Sequence, residues 1–250
     1  MNKPLLGLVL GGILGILDAG LLIGWFARRR AGLVAGIALA LAGASPARGQ
    51  GLQPPTGWRL DLDGPATAHA AEEGARERPD TYWFVEMRPG WHVTMGPGGR
   101  LFDPGFRGED RYALEANVFL FPGTTGEGYG LFFGGSGEGA GAAWLAALFR
   151  RDGSAALLRH GPGVHEWLSP WTRYEAVRPQ AGEEAMGNLF RVDVRRDSVH
   201  VFANGTQLYA VPRTGLVTDG AFGFRIGREV NVHASSLDHT RRLAGVPAAR

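Results

Sequence analysis

The chain reads as an all-β protein, an antiparallel two-sheet sandwich preceded by N-terminal hydrophobic helical segments. Three observations predict the sandwich. Residues 112–121 alternate cleanly, with Tyr112, Leu114, Ala116, Val118 and Leu120 on one face and Glu115, Asn117 and Phe119 on the other. That period of two belongs to a strand with one buried face. Short strand-like runs recur through the second half, separated by turns such as Arg151-Asp152-Gly153-Ser154 and Asn204-Gly205, both good hairpin chemistry. Finally, 40 glycines and 15 prolines in 250 residues supply many turns, while 44% hydrophobic residues suffice for one sizeable core.

Taken in order, residues 1–26 form a transmembrane-like segment. Leu5–Phe26 is interrupted only by Asp18 and matches the ~20 residues that cross a bilayer. Gly7, Gly11 and Gly15, then Gly20 and Gly24, recur at four-residue spacing, which would smooth one helix face for packing. Residues 27–50 resemble a signal peptide: Arg28–Arg30, an apolar run from Ala31 to Ala44, then small residues with Ala42-Gly43-Ala44 or Ala47-Arg48-Gly49 as cleavage motifs. Either the chain opens with a membrane hairpin, or residues 1–26 are an extended gene start. Both put the remainder outside the cytoplasm, because the arginines stay inside. The expected location is extracytoplasmic: periplasmic, secreted or membrane-anchored.

Residues 51–57 read as a linker, 58–240 as the sandwich and 241–250 as a tail. Strands are expected at 58–62, 82–87, 91–95 and 100–102, with a short helix or loose loop over 64–80. The central runs, 112–121 and 129–133, are separated by the loop sequence PGTTGEG. A hairpin pairs 142–150 with 155–159. Residues 160–187 read as the longest irregular segment. Strands follow at 188–194, 199–203, 207–211, 221–227 and 230–237, with the last dozen residues frayed.

Charge and composition exclude several functions. Residues 1–50 hold five basic residues against Asp18, leaving 21 basic and 23 acidic residues in 51–250. A mildly acidic body with mixed charge lacks the basic stripe that nucleic acid requires. No cysteine is present, so disulfides, thiolate metal sites and a cysteine nucleophile are ruled out. The histidines and carboxylates show no metal-ligand spacing, Asp61 and Asp63 lack the other positions of a calcium loop, and GGSGEG fits no dinucleotide fingerprint. No metal and no cofactor are expected, and membrane contact only through the N-terminal segment.

Several motifs carry a resemblance. GYGLFFGG (128–135), FRRDGSAALLRHG (149–161), W-x-x-Y-E-A (171–176), NLFRVDVRRDSVHVFANG (188–205) and GAFGFRIG (220–227) resemble, in that order, the concanavalin A-like lectin/glucanase jelly roll. The likeness is to its laminin G-like branch, which includes the 3-keto-disaccharide hydrolase domain family, over roughly residues 82–237. It implies a jelly roll and a carbohydrate-related role. Family 16 glycoside hydrolases of this fold carry two glutamates flanking an aspartate on one strand, whereas 112–121 offers only Glu115 and 189–195 only Asp193. Catalytic residues are therefore not carried over.

Sugar sites combine an aromatic platform with planar polar groups. The candidates are Glu115, Asn117 and Phe119 on the central strand, Trp144 and Arg150 on the next hairpin, Trp167 and Trp171 in the irregular segment, and Arg225, Asn231 and His233 near the end. If the central strand lines a groove, Trp144 or an aromatic from Trp167 to Tyr174 would stack on the sugar opposite Glu115, Asn117 and Phe119. The function expected is an extracytoplasmic module that binds carbohydrate or glycan. A sugar-cleaving enzyme and a protein-contacting structural sandwich are the alternatives.

Overall fold

Tyr112, Leu114, Ala116, Val118 and Leu120 are all buried, while Glu115, Asn117 and Phe119 remain partly exposed, as the alternation requires. The structure is a computed structural model that describes residues 54–69 and 78–242. The transmembrane-like and signal-like segments, residues 51–53 of the linker, residues 70–77 and the tail beyond 242 lie outside the described residues.

The strands follow the chain as β1 (Arg59–Leu62), β2 (Thr67–Ala68), β3 (Thr81–Glu86), β4 (Trp91–Met95) and β5 (Gly99–Gly108). Next come β6 (Tyr112–Leu120), β7 (Tyr129–Ser136), β8 (Ala143–Phe149), β9 (Ser154–Gly161) and β10 (Val164–Arg173). The last five are β11 (Met186–Val194), β12 (Ser198–Ala203), β13 (Thr206–Pro212), β14 (Gly220–Ile226) and β15 (Val230–Arg241). They form a seven-stranded sheet, β1-β5-β14-β7-β8-β9-β10, and an eight-stranded sheet, β13-β12-β11-β6-β15-β4-β3-β2. Every pairing is antiparallel except that of β2 with β3. The inner faces share one core, in which Phe149 of one sheet stacks on Phe190 of the other at 3.6 Å between ring centres.

The hairpins form as their turns dictate. Asn204 and Gly205 both take positive φ, 50° and 82°, the geometry a two-residue hairpin turn needs. Arg151–Gly153 joins β8 to β9, with Phe149 opposite Ala155.

The loop PGTTGEG crosses between the layers, since β6 lies in the eight-stranded sheet and β7 in the seven-stranded one. Three expectations are corrected. Residues 164–173 are a strand, β10, rather than irregular. Two register shifts, between Trp167 and Ser169 and between Ser169 and Thr172, erase the period of two, and Pro170 is tolerated because β10 is an edge strand. Residues 67–68 form a short strand where a helix or loop was expected. Finally, β15 runs four residues past Leu237, with Arg241 opposite Tyr112, so 239–241 are not frayed.

Candidate functional site

Counting register across the strands shows which side chains share a face. On the outside of the seven-stranded sheet, Trp144 lies opposite His160 and His160 opposite His165. One row along, Ala146 pairs with Leu158 and Leu158 with Trp167. Arg100 and Arg225 pair on β5 and β14. Phe132, Trp144, Ala146, Leu148 and Leu158, with Trp171, build a second apolar layer on this outer face. Five predicted site residues, Trp144, Arg150, Trp167, Trp171 and Arg225, therefore come together here.

Their geometry divides into supports and one open platform. Trp144 is only 7% exposed. His160 stacks on it at 4.5 Å, and the guanidinium carbons of Arg225 and Arg100 lie 5.4 and 5.9 Å from its ring centre. Buried Arg100 donates to Asp61, and Arg225 donates to both oxygens of Asp63, one bond being 2.9 Å. Each carboxylate thus cancels an arginine that would otherwise lie uncompensated among aromatics. Burial pushes the His160 pKa below its ordinary value, helped by His165, Arg225 and Arg100, with Asp63 opposing. These influences favour the neutral ring, which offers one donor and one acceptor. Trp167 is 39% exposed, braced by Trp171 at 5.3 Å and His165 at 5.6 Å. It is the most exposed of the three tryptophans on this face.

Two clefts bound this face. One, about 330 Å³, is lined by Trp144, Arg159, His160, Val164, Ser136 and Val217. The other, about 430 Å³, lies beside Asp63, Arg225, Glu127, Arg228 and Asp80.

The other five predicted residues, Glu115, Asn117, Phe119, Asn231 and His233, stand on the outer face of the eight-stranded sheet, with the core between them and Trp144. No groove can join Asn117 to Trp144 or Trp167, so the expected pairing of that strand with those aromatics is corrected. Phe119 lies across Gly187, where a Cβ would stand 2.7 Å from its ring. Glu115 is opposite Asp238 and 3.6 Å from Arg191, a solvated charge cluster on an open face. Asn231 and His233 are buried and hold structure: Asn231 Oδ1 meets His92 Nε2 at 2.6 Å, and His233 Nε2 donates to the Pro89 carbonyl at 2.9 Å. Burial lowers the His233 pKa, that bond partly countering it.

Sequence reasoning missed Asp61, Asp63, Arg100, His160 and His165. A signal for His160 existed: the Arg151–Gly153 turn fixes the β8–β9 register, and counting back from it sets His160 against Trp144. Among the described residues, no three His, Asp or Glu side chains group as a metal site.

Two antiparallel layers joined in this strand order, with one core between them, make the chain a jelly-roll sandwich of the concanavalin A-like lectin/glucanase fold. No protein-family model matches the chain, and no curated protein matches it. Among solved structures it is similar to a carbohydrate-binding module, CBM66, from Bacillus subtilis. The TM-score is 0.53 at 8% identity, over 74% of this chain and 96% of that one. A protein of unknown function with a galectin-like fold, also from Bacillus subtilis, gives 0.49 at 12% identity, over 74% and 89%. A GH16 protein from Bacteroides ovatus gives 0.46 at 10%, over 75% and 96%. The first likeness supports the fold.

Proposed function

We propose that this chain is an extracytoplasmic carbohydrate-binding module whose ligand lies on the outer face of the seven-stranded sheet. One observation carries the reading: an exposed Trp167 ring stands beside Trp171 and His165 on the sheet face that also holds His160 and Trp144, with Arg225, fixed by Asp63, over Trp144. A pyranose offers an apolar face for the indole and hydroxyls for the planar polar groups. The fold of CBM66, a carbohydrate-binding module, agrees with this role. Stacking contributes about 1–2 kcal/mol and each hydrogen bond about 1 kcal/mol net. After association costs, dissociation constants fall in the micromolar-to-millimolar range. Hydrolysis requires two carboxylates facing one bond, and on this face Asp61 and Asp63 are each held by an arginine.

A glycan array probed with the intact chain tests the reading. Binding is expected, lost on Trp167→Ala and kept on Asn117→Ala, which changes the opposite face. An array without signal, or the reverse pattern, refutes it. The extracytoplasmic assignment rests on the arginine cluster and apolar run. It predicts a mature N-terminus between Ser45 and Gly51, and N-terminal sequencing of envelope material that returned Met1 would count against cleavage there.

A further inference from the structure

This inference rests on the binding-face reading and concerns what the ligand carries. Arg150 follows β8 at the edge of the face, its guanidinium carbon 3.8 Å from the centre of the Trp171 ring, close enough for cation–π attraction. Trp171 fits there because residue 128 is glycine; a Cβ at that position would stand 2.9 Å from the indole. Four other arginines of this region have partners. Arg100 holds Asp61, Arg225 holds Asp63, Arg159 lies 3.3 Å from Glu166, and Arg151 donates to Gln180 and the Thr125 carbonyl.

Arg150 differs. Among the described residues no carboxylate lies within ion-pair distance of it, and its Nε and the Trp171 Nε1 are buried donors without an acceptor. Asp152 feels the charges of Arg150 and Arg173 at longer range, but its Oδ1 accepts the Ser154 N–H at 2.9 Å. Two arginines and one committed aspartate leave this rim positive. A buried donor without an acceptor is costly, and an uncompensated guanidinium more so. An anionic oxygen arriving at the terminal nitrogens of Arg150, which are not among these buried atoms, would compensate the charge.

We propose that the module selects a sugar bearing an anionic group, the uronic-acid class, with Arg150 as the partner of the carboxylate. The Trp167 and Trp171 ring centres are 5.3 Å apart and Arg150 lies on the second. A pyranose stacked on Trp167 would therefore present its own carboxylate, or that of the next residue, to the guanidinium. The planar fork of arginine suits a carboxylate, and a sulfate ester offers the same oxygen pair.

The test is titration calorimetry of the intact chain with polygalacturonate, its fully methyl-esterified form, dextran sulfate and unmodified dextran, at physiological salt. An acidic polymer should bind about ten- to a hundredfold more tightly than its neutral counterpart, as charge-assisted hydrogen bonds would give. Preference for polygalacturonate assigns the carboxylate, and preference for dextran sulfate alone assigns the sulfate ester. Arg150→Gln should abolish the preference, whereas Arg196→Gln, on the β11–β12 turn of the other sheet, should keep it. Equal binding of acidic and neutral polymers to the unmodified chain overturns the inference without relying on any variant, as does a preference that survives in Arg150→Gln. Binding of neutral glycans through Trp167 without preference leaves the module reading standing. Absence of binding to every glycan sinks both.

Discussion

Replacing Trp144 by alanine separates a structural aromatic from a ligand platform. The side chain is 7% exposed, so its truncation removes most of the 150–250 Å² that a buried aromatic hides. At about 25 cal/mol per Å² that is roughly 4–6 kcal/mol before relaxation, and large aromatic-to-alanine changes cost about 3–5 kcal/mol. The loss is compounded because Arg100 and Arg225 lose the ring they flank, a contact worth about 0.5–1 kcal/mol each. For a domain of this size each kcal/mol lowers the melting temperature by about 2–4 °C, so the intact Trp144→Ala chain should melt roughly 6–20 °C lower by calorimetry. Trp167→Ala should shift it by no more than about 3 °C. Equal shifts would mean that the outer layer around Trp144 is not packed and that the division into support and platform is wrong.

Two further outcomes follow from buried polar groups. Half-buried His160 and buried His233 are both held below the usual histidine pKa, chiefly by burial. The unfolded chain therefore binds more protons than the native one as pH drops below about 6.5. The stability present above that pH should be lost as pH falls toward the folded pKa values. Melting temperatures at pH 7.5 and 5.5 should show a decline, shallower in His233→Gln; a rise on acidification would reverse the reasoning. Asn188 is 1% exposed, accepts from Arg178 N and Asn204 Nδ2, and donates to the Arg178 carbonyl. Asn188→Ala should cost about 2–4 kcal/mol, since it orphans buried partners, read as a lower urea midpoint with an unchanged slope. An unaltered midpoint would show that the Arg178 loop is not anchored there.

Strands with an undisturbed period of two were legible: β6, the β8–β9 hairpin, and β11 to β13 with their Asn-Gly turn. The edge strand β10 was not, because two bulges and Pro170 hide its pattern. Layer assignment was also out of reach locally. Tyr112 and Tyr129 are near in sequence yet fall in opposite sheets, because β6 takes its partners from β11 and β15, far along the chain. The site suffered from the same cause. Asp63, Arg100, Trp144 and His160 sit in or beside four separated strands and meet only through cross-strand register. Asn117 and Trp144, each correctly read as outward-facing, turned out to face away from each other.

The strand order also says when this domain can exist. In one sheet β14 is inserted between β5 and β7; in the other β15 is inserted between β6 and β4. The final two strands therefore act as wedges that close both layers from the middle. A nascent chain stopped before Gly220 would hold two split sheets with four open inner edges, each a template for wrong pairing. Assembly is then all-or-none and late, governed by contacts of long sequence separation that slow folding. Proteolytic loss of 220–241 should abolish the whole domain rather than trim it, which would appear as complete loss of the cooperative thermal transition; a residual sharp transition would contradict this.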